Sequence, residues 1–129
     1  MVRSAIAVFV GGAIGAAGRY AIDLALPHGS GEFPLSTLLV NVLGSFALAL
    51  LVGARWERMP QPARLALGPG LLGSFTTFSA VAASAIELSP PLFLGYLVVT
   101  LLAGLVAAFI GLRSGAALGH AATGKGRKP

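Results

Sequence analysis

Residues Gly73 to Ser79, Gly-Ser-Phe-Thr-Thr-Phe-Ser, carry four hydroxyls, a glycine and two aromatic rings in the middle of an otherwise apolar run. In hydrocarbon an unsatisfied polar group costs several kcal/mol, so such groups are buried in protein or line a pathway. Two chemistries are open to them. The edge of an aromatic ring carries partial positive charge and can contact an anion, and carbonyls released from an unwound helix can hold a cation. Pro69, Gly70 and Gly73 weaken the helix here, and Ser74, Thr76 and Thr77 can satisfy freed backbone groups, so local unwinding is expected. Phe75 and Phe78, three apart, are expected to share a face, either as packed core or with a positive ring edge toward an anion.

Two more stripes could add donors. Thr37, Asn41 and Ser45 recur every four residues, as do Tyr96, Thr100 and Gly104. The Asn41 amide is open to two readings, donor to an anion or an interhelical hydrogen bond worth roughly 0.6–2 kcal/mol. Arg19 either snorkels to the headgroups or attracts anions in a vestibule, and Asp23 could pair with it at the i,i+4 spacing.

The elements that must position these residues are four apolar segments, at about 4–26, 35–54, 64–86 and 92–112. Each is long enough for a hydrocarbon core of about 30 Å. The composition agrees, with 56% hydrophobic residues and a mean hydropathy of +0.87 over 129 residues. The fold class is therefore an all-α membrane protein of one domain, residues 1–112, with the third helix broken near its middle. Residues 113–129 are expected to form a basic, disordered tail. The first segment is too long and glycine-rich for a cleavable signal. Gly11 and Gly15 give it a face that another backbone can approach closely.

Charge sets the orientation. Arg3, Arg55, Arg58, Arg64, Arg113, Lys125, Arg127 and Lys128 fall on one side, whereas the loops at 27–34 and 87–91 hold no Lys or Arg. The positive-inside rule puts both termini in the cytoplasm, with the chain multi-pass in the cell's inner (plasma) membrane. Trp56 is placed as an interfacial anchor. The net charge of +5 reports this bias and not a nucleic-acid partner. No cysteine is present, His28 and His120 are too far apart to pair on a metal, and no acid, base and nucleophile converge as an enzyme would need.

Three motifs together resemble the CrcB/Fluc-type fluoride channels, four-helix proteins that assemble as antiparallel dimers. They are the Gly11 to Tyr20 run with Gly15, Gly18 and Arg19; Ser36 to Phe46 with Asn41, Gly44 and Ser45; and Gly70 to Ser79. The resemblance implies that Asn41 donates its amide to fluoride and that Phe78 is the first of two pore phenylalanines. It further implies that Thr77 and Ser79 supply hydroxyls, that Tyr96 and Thr100 form a polar track, and that Arg19 guards the vestibule. Backbone carbonyls of Gly73 and Thr76 from both subunits would hold a structural sodium ion at the dimer axis.

Two positions depart from that pattern: Val81 stands where a second phenylalanine is expected, and Gly104 where a hydroxyl is expected. An antiparallel homodimer also needs a weak charge bias, and this chain has eight basic residues against none. The expectation is a dimer with a related, oppositely oriented chain. The function expected is passive fluoride efflux giving fluoride resistance. The rivals are a non-conducting structural partner subunit and a small multidrug-type exporter, which would need a carboxylate near the middle of the first helix.

Overall fold

The computed structural model describes residues 2–124, and among these all regular structure is helical. Helix α1 is Val2–Ala25 and α2 is Leu35–Arg55, followed by a 3-10 turn at Trp56–Arg58. The third span is built from α3 (Gln61–Leu65), a π-helical segment (Ala66–Leu72), α4 (Gly73–Phe75) and α5 (Phe78–Glu87). Helix α6, Pro90–Gly124, closes the bundle. Four segments are long and apolar enough to cross a membrane. Prolines mark the starts: Pro62 opens α3 and Pro90 and Pro91 open α6, where a missing N–H leaves nothing unpaired. The α1–α2 loop turns at Gly31, at φ 85°.

Two parallel helix pairs make up the packing. A Cβ on Gly11 would collide with the Ala66 carbonyl oxygen and one on Gly15 with that of Leu71, while Gly18 faces the Phe75 ring. The paired numbers rise together, so α1 runs parallel to the third span. In the second pair, Gly111, Gly115 and Gly119 lie against the backbone at Phe46, Leu50 and Ala54, so α6 runs parallel to α2. Between apolar helices in lipid the attraction is van der Waals contact, which absent side chains bring to backbone distance. Large side chains such as Phe9, Leu102 and Phe109 face outward. A small core of Val81, Leu88 and Tyr96 joins α5 to α6 beneath Phe33, Leu38, Phe93 and Leu97.

One boundary differs from the sequence expectation. The fourth helix does not stop at 112 but runs on to Gly124. The Gly and Ala residues that read as a loose tail form a four-residue stripe laid against the end of α2, and that contact holds the helix. The rest of the expected tail, 125–129, lies outside the described residues.

This stripe yields a stability prediction. Gly115→Leu drives a side chain into the Leu50 carbonyl and Ala54 nitrogen, an overpacking on the order of 3 kcal/mol. Its thermal unfolding midpoint in mild detergent drops by many degrees. Gly95→Ala, which meets nothing within 4 Å, leaves the midpoint within a degree or two of wild type, about ±0.5 kcal/mol.

Candidate functional site

The site forms where the third span gives up its helical hydrogen bonds. Thr76 (φ −74°, ψ 157°) and Thr77 (φ −148°, ψ 119°) are extended between α4 and α5. Thr76 keeps both its N–H and its hydroxyl on the Leu72 carbonyl, at 3.0 and 2.9 Å. Beyond it the helix cannot continue, because the next donors are taken by side chains. The Thr77 N–H donates to Asn41 Oδ1 at 2.8 Å, and Asn41 Nδ2 donates to the Thr77 carbonyl at 3.0 Å. The amide of α2 thus clasps one residue of the break on both its backbone groups, as a neighbouring strand would. Thr77 Oγ1 accepts from the Ala80 N–H at 3.1 Å and so caps α5, with Ser79 Oγ 3.0 Å away.

These diversions release two carbonyls. In an α-helix the Gly73 oxygen would accept from the Thr77 N–H, which goes instead to Asn41. The Thr76 oxygen would accept from the Ala80 N–H, which goes instead to the Thr77 hydroxyl. Both residues line the groove beside the break. Hard oxygen donors of this kind are what an alkali cation takes in a membrane.

Asn41 has a second amide hydrogen. Among the described residues it has no protein acceptor. It sits at a groove of about 880 Å³ that separates the third span from α6, with α2 as its floor. Ser45, Thr77, Phe78, Thr100 and Gly104 share the lining. Phe78 is 78% exposed, whereas Phe75 is half-buried against Gly18. The extended residues between the two rings rotate them apart, which corrects the expectation that they share a face.

The remaining residues singled out from sequence are placed differently. Tyr96 is fully buried, with its ring edge-on to Phe33 at 5.3 Å. Its hydroxyl faces Thr37, Ser84 and Thr100, yet none of them meets hydrogen-bond geometry, and Tyr96 Oη, Thr100 Oγ1 and Ser36 Oγ are buried without a partner. Arg19 is half-buried on α1, away from the groove lining, and makes no ion pair with Asp23. Ser36 and Ser84 belong to the buried hydroxyl set and were not singled out as site residues. Ser84, six residues after Phe78 on α5, donates to the Ala80 carbonyl at 3.0 Å. Val81 is only 4% exposed and packs in the α5–α6 core. A Cβ at Gly104 would meet Ser45 Oγ at 3.7 Å, so α2 supplies a hydroxyl where α6 has none.

The model of the family described as "CrcB-like protein, Camphor Resistance (CrcB)" matches residues 6–112, all four spans. The chain belongs to this CrcB-like family. It is 40% identical over 125 residues to the "Fluoride-specific ion channel FluC" of Gloeobacter violaceus, covering 92% of this chain and 100% of that one. The protein of the same name from Idiomarina loihiensis is 48% identical over 84 residues, 64% of this chain and 65% of its own length. "Fluoride-specific ion channel FluC 2" of Bacillus licheniformis is 37% identical over 124 residues, covering 93% and 92%. The CrcB-like match takes in both the clasp and the break, so these features lie within the family's own span.

Capping at the break is testable by itself. Thr77→Val keeps the shape of the side chain and removes the oxygen that caps α5. Loss of such a cap costs about 1 kcal/mol. The expected result is a modest fall in the unfolding midpoint, with faster amide exchange confined to the first turn of α5.

Proposed function

We propose that this chain is a subunit of a fluoride channel that lets fluoride leave the cytoplasm passively. The carrying observation is the Asn41 clasp. It fixes an amide at the break of a membrane span and leaves one hydrogen without a protein acceptor on a residue that lines the groove, available to an anion. The names of relatives aligned over nearly the whole chain support the ion assigned. Fluoride is small and strongly hydrated, so closely set N–H and O–H donors from Asn41, Thr77, Ser79 and Thr100 replace its water, and the edge of Phe78 lines the path. Tyr96 extends the polar track and Arg19 draws anions to the mouth. With the cell interior negative, about 2.3 kcal/mol per 100 mV assists each outgoing ion. The protein is a channel and not an enzyme.

In this reading the chain is multi-pass in the plasma membrane, with both termini cytoplasmic. It pairs with a related chain of opposite orientation. The freed carbonyls of Gly73 and Thr76 would hold a sodium ion at the dimer axis. Bound there, the cation supplies positive charge that fixes the two breaks against each other.

The test is efflux from liposomes loaded with potassium fluoride, followed with a fluoride electrode after the potassium is shunted. Reconstituted with its partner chain, the protein releases fluoride and retains chloride. Absence of fluoride release from the pair would overturn the assignment.

A second reading, a non-conducting structural subunit, is favoured by Val81, which is committed to the core and offers no ring to the groove. An exporter reading finds no carboxylate among the residues lining the groove.

A further inference from the structure

The extended end of α6 builds a second cleft, away from the break. Helix α6 has 35 residues, roughly 50 Å at about 1.5 Å per residue, against a hydrocarbon core of about 30 Å. Its turns beyond about Gly111 therefore stand in the headgroup layer and past it. Helix α2, which starts beside the same opposite interface, reaches that layer at Arg55. Because Gly53, Gly115 and Gly119 carry no side chains, α6 lies on the backbone of α2 and leaves a cleft of about 230 Å³ beside the contact. Arg55, Arg58 and His120 line it, together with Trp56 and one acid, Glu57.

The chemistry of this lining is specific. Two guanidinium groups against one carboxylate leave it positive. His120, on the lining, donates its Nδ1–H to the Ala116 carbonyl at 2.7 Å, which leaves Nε2 an acceptor in the neutral ring and a donor to a phosphate in the protonated one. Arg113 lies over the Phe109 ring one turn deeper in the helix, 5.1 Å from its centroid, a cation–π contact that keeps its charge beside the apolar face. Below the cleft, Val52, Phe109 and Leu112 are exposed and apolar. A ligand that fits both parts has an anionic phosphate head and hydrocarbon chains. Basic pockets between membrane helices take phospholipid headgroups in this way.

We propose that the cleft between the end of α2 and the α6 extension binds the phosphodiester headgroup of an anionic phospholipid, with its chains along the outer face of α6. Neither the ion conducted nor the identity of the partner enters this proposal.

The protein reports on the cleft itself, since Trp56, its only tryptophan, is part of the lining. The full chain is reconstituted in phosphatidylcholine vesicles, and Trp56 fluorescence is followed as brominated phosphatidylglycerol or brominated phosphatidylcholine is added. The expected result is quenching by the anionic lipid well beyond its mole fraction, and quenching by the neutral one in proportion to it. Arg55→Gln lowers the relative affinity for the anionic lipid about fivefold, the factor for one surface arginine. His120→Gln lowers it independently, which covers a failure of the first variant to fold. Arg3→Gln, outside the cleft, leaves the preference intact. Equal quenching by the two lipids, or an unchanged preference in both cleft variants, overturns the proposal. So does loss of the preference on adding inorganic phosphate, which would mark a free-phosphate site.

Discussion

Asn41→Asp lowers fluoride efflux by about three orders of magnitude. The substitution changes one atom group but reverses two interactions. Asn41 Nδ2, which donates to the Thr77 carbonyl at 3.0 Å, becomes an oxygen facing an oxygen, and the clasp on the break opens on that side. A buried acceptor left unpaired costs about 1–3 kcal/mol. The second amide hydrogen, the one without a protein acceptor, disappears as well. In its place stands a negative charge that repels a passing anion by about 4 kcal/mol at 4 Å and an effective dielectric of 20. A barrier raised by that amount slows passage roughly a thousandfold. Asn41→Ala, which removes the donors without adding charge, is expected to fall between this variant and wild type. The readout is initial efflux rate from liposomes at matched protein content. An Asp variant conducting at the wild-type rate would show that Asn41 serves the fold alone, and would transfer support to the structural-subunit reading.

The break was legible in the sequence as a cluster of helix-weakening and hydroxyl-bearing residues, and Asn41 was legible as a polar group without an obvious partner. What joined them was not. Asn41 and Thr77 are 36 residues apart, and no local spacing rule links an amide on one span to the backbone of another. The two alternatives for Asn41 turn out not to exclude each other, since its oxygen and one hydrogen hold the third span while the other hydrogen stays open. Release of the Gly73 and Thr76 carbonyls follows from that same clasp and cap, so it becomes visible only when each helical donor is traced to its new acceptor. The glycine face of α1 could be read directly, because Gly11 and Gly15 sit inside a strong apolar pattern. The matching stripe of Gly111, Gly115 and Gly119 could not, because it straddles the point where hydropathy falls and basic residues begin. Composition there resembles a linker, and only the backbone of α2 reveals that the same residues are a packing surface. Phe75 and Phe78 show the reverse limit: helical spacing put them together, and two extended residues put them apart.

Expressed alone, the chain inserts with both termini cytoplasmic in essentially every copy, and conducts at least tenfold less fluoride than when paired with a related chain of opposite orientation. The parallel pairing of α1 with the third span, and of α2 with α6, places Arg3 and Arg64 at the starting ends of two spans. Arg55, Arg58 and Arg113 come at the finishing ends of the other two. All five therefore gather at one face, and Lys125, Arg127 and Lys128 come after Arg113 in the sequence. Short loops with such a one-sided excess set orientation at insertion, so an inverted copy of this chain should not form. Yet the chain is open on one side. A groove of about 880 Å³ is far from the close packing of protein interiors, and Phe78 and Ile86 stand 78% and 90% exposed along α5. An oppositely oriented relative would bring a second break, and a ring to stand in for the one that Val81 lacks. Because the chain has no cysteine, a single Ser30→Cys in the α1–α2 loop reports orientation through labelling of intact cells with an impermeant maleimide. Complete labelling is expected for the chain as it stands, and about half when Arg55, Arg58 and Arg64 become Gln and arginines are added to the 27–34 loop. Half labelling of the unaltered chain, with full fluoride efflux from it alone, would replace the two-chain dimer by a homodimer.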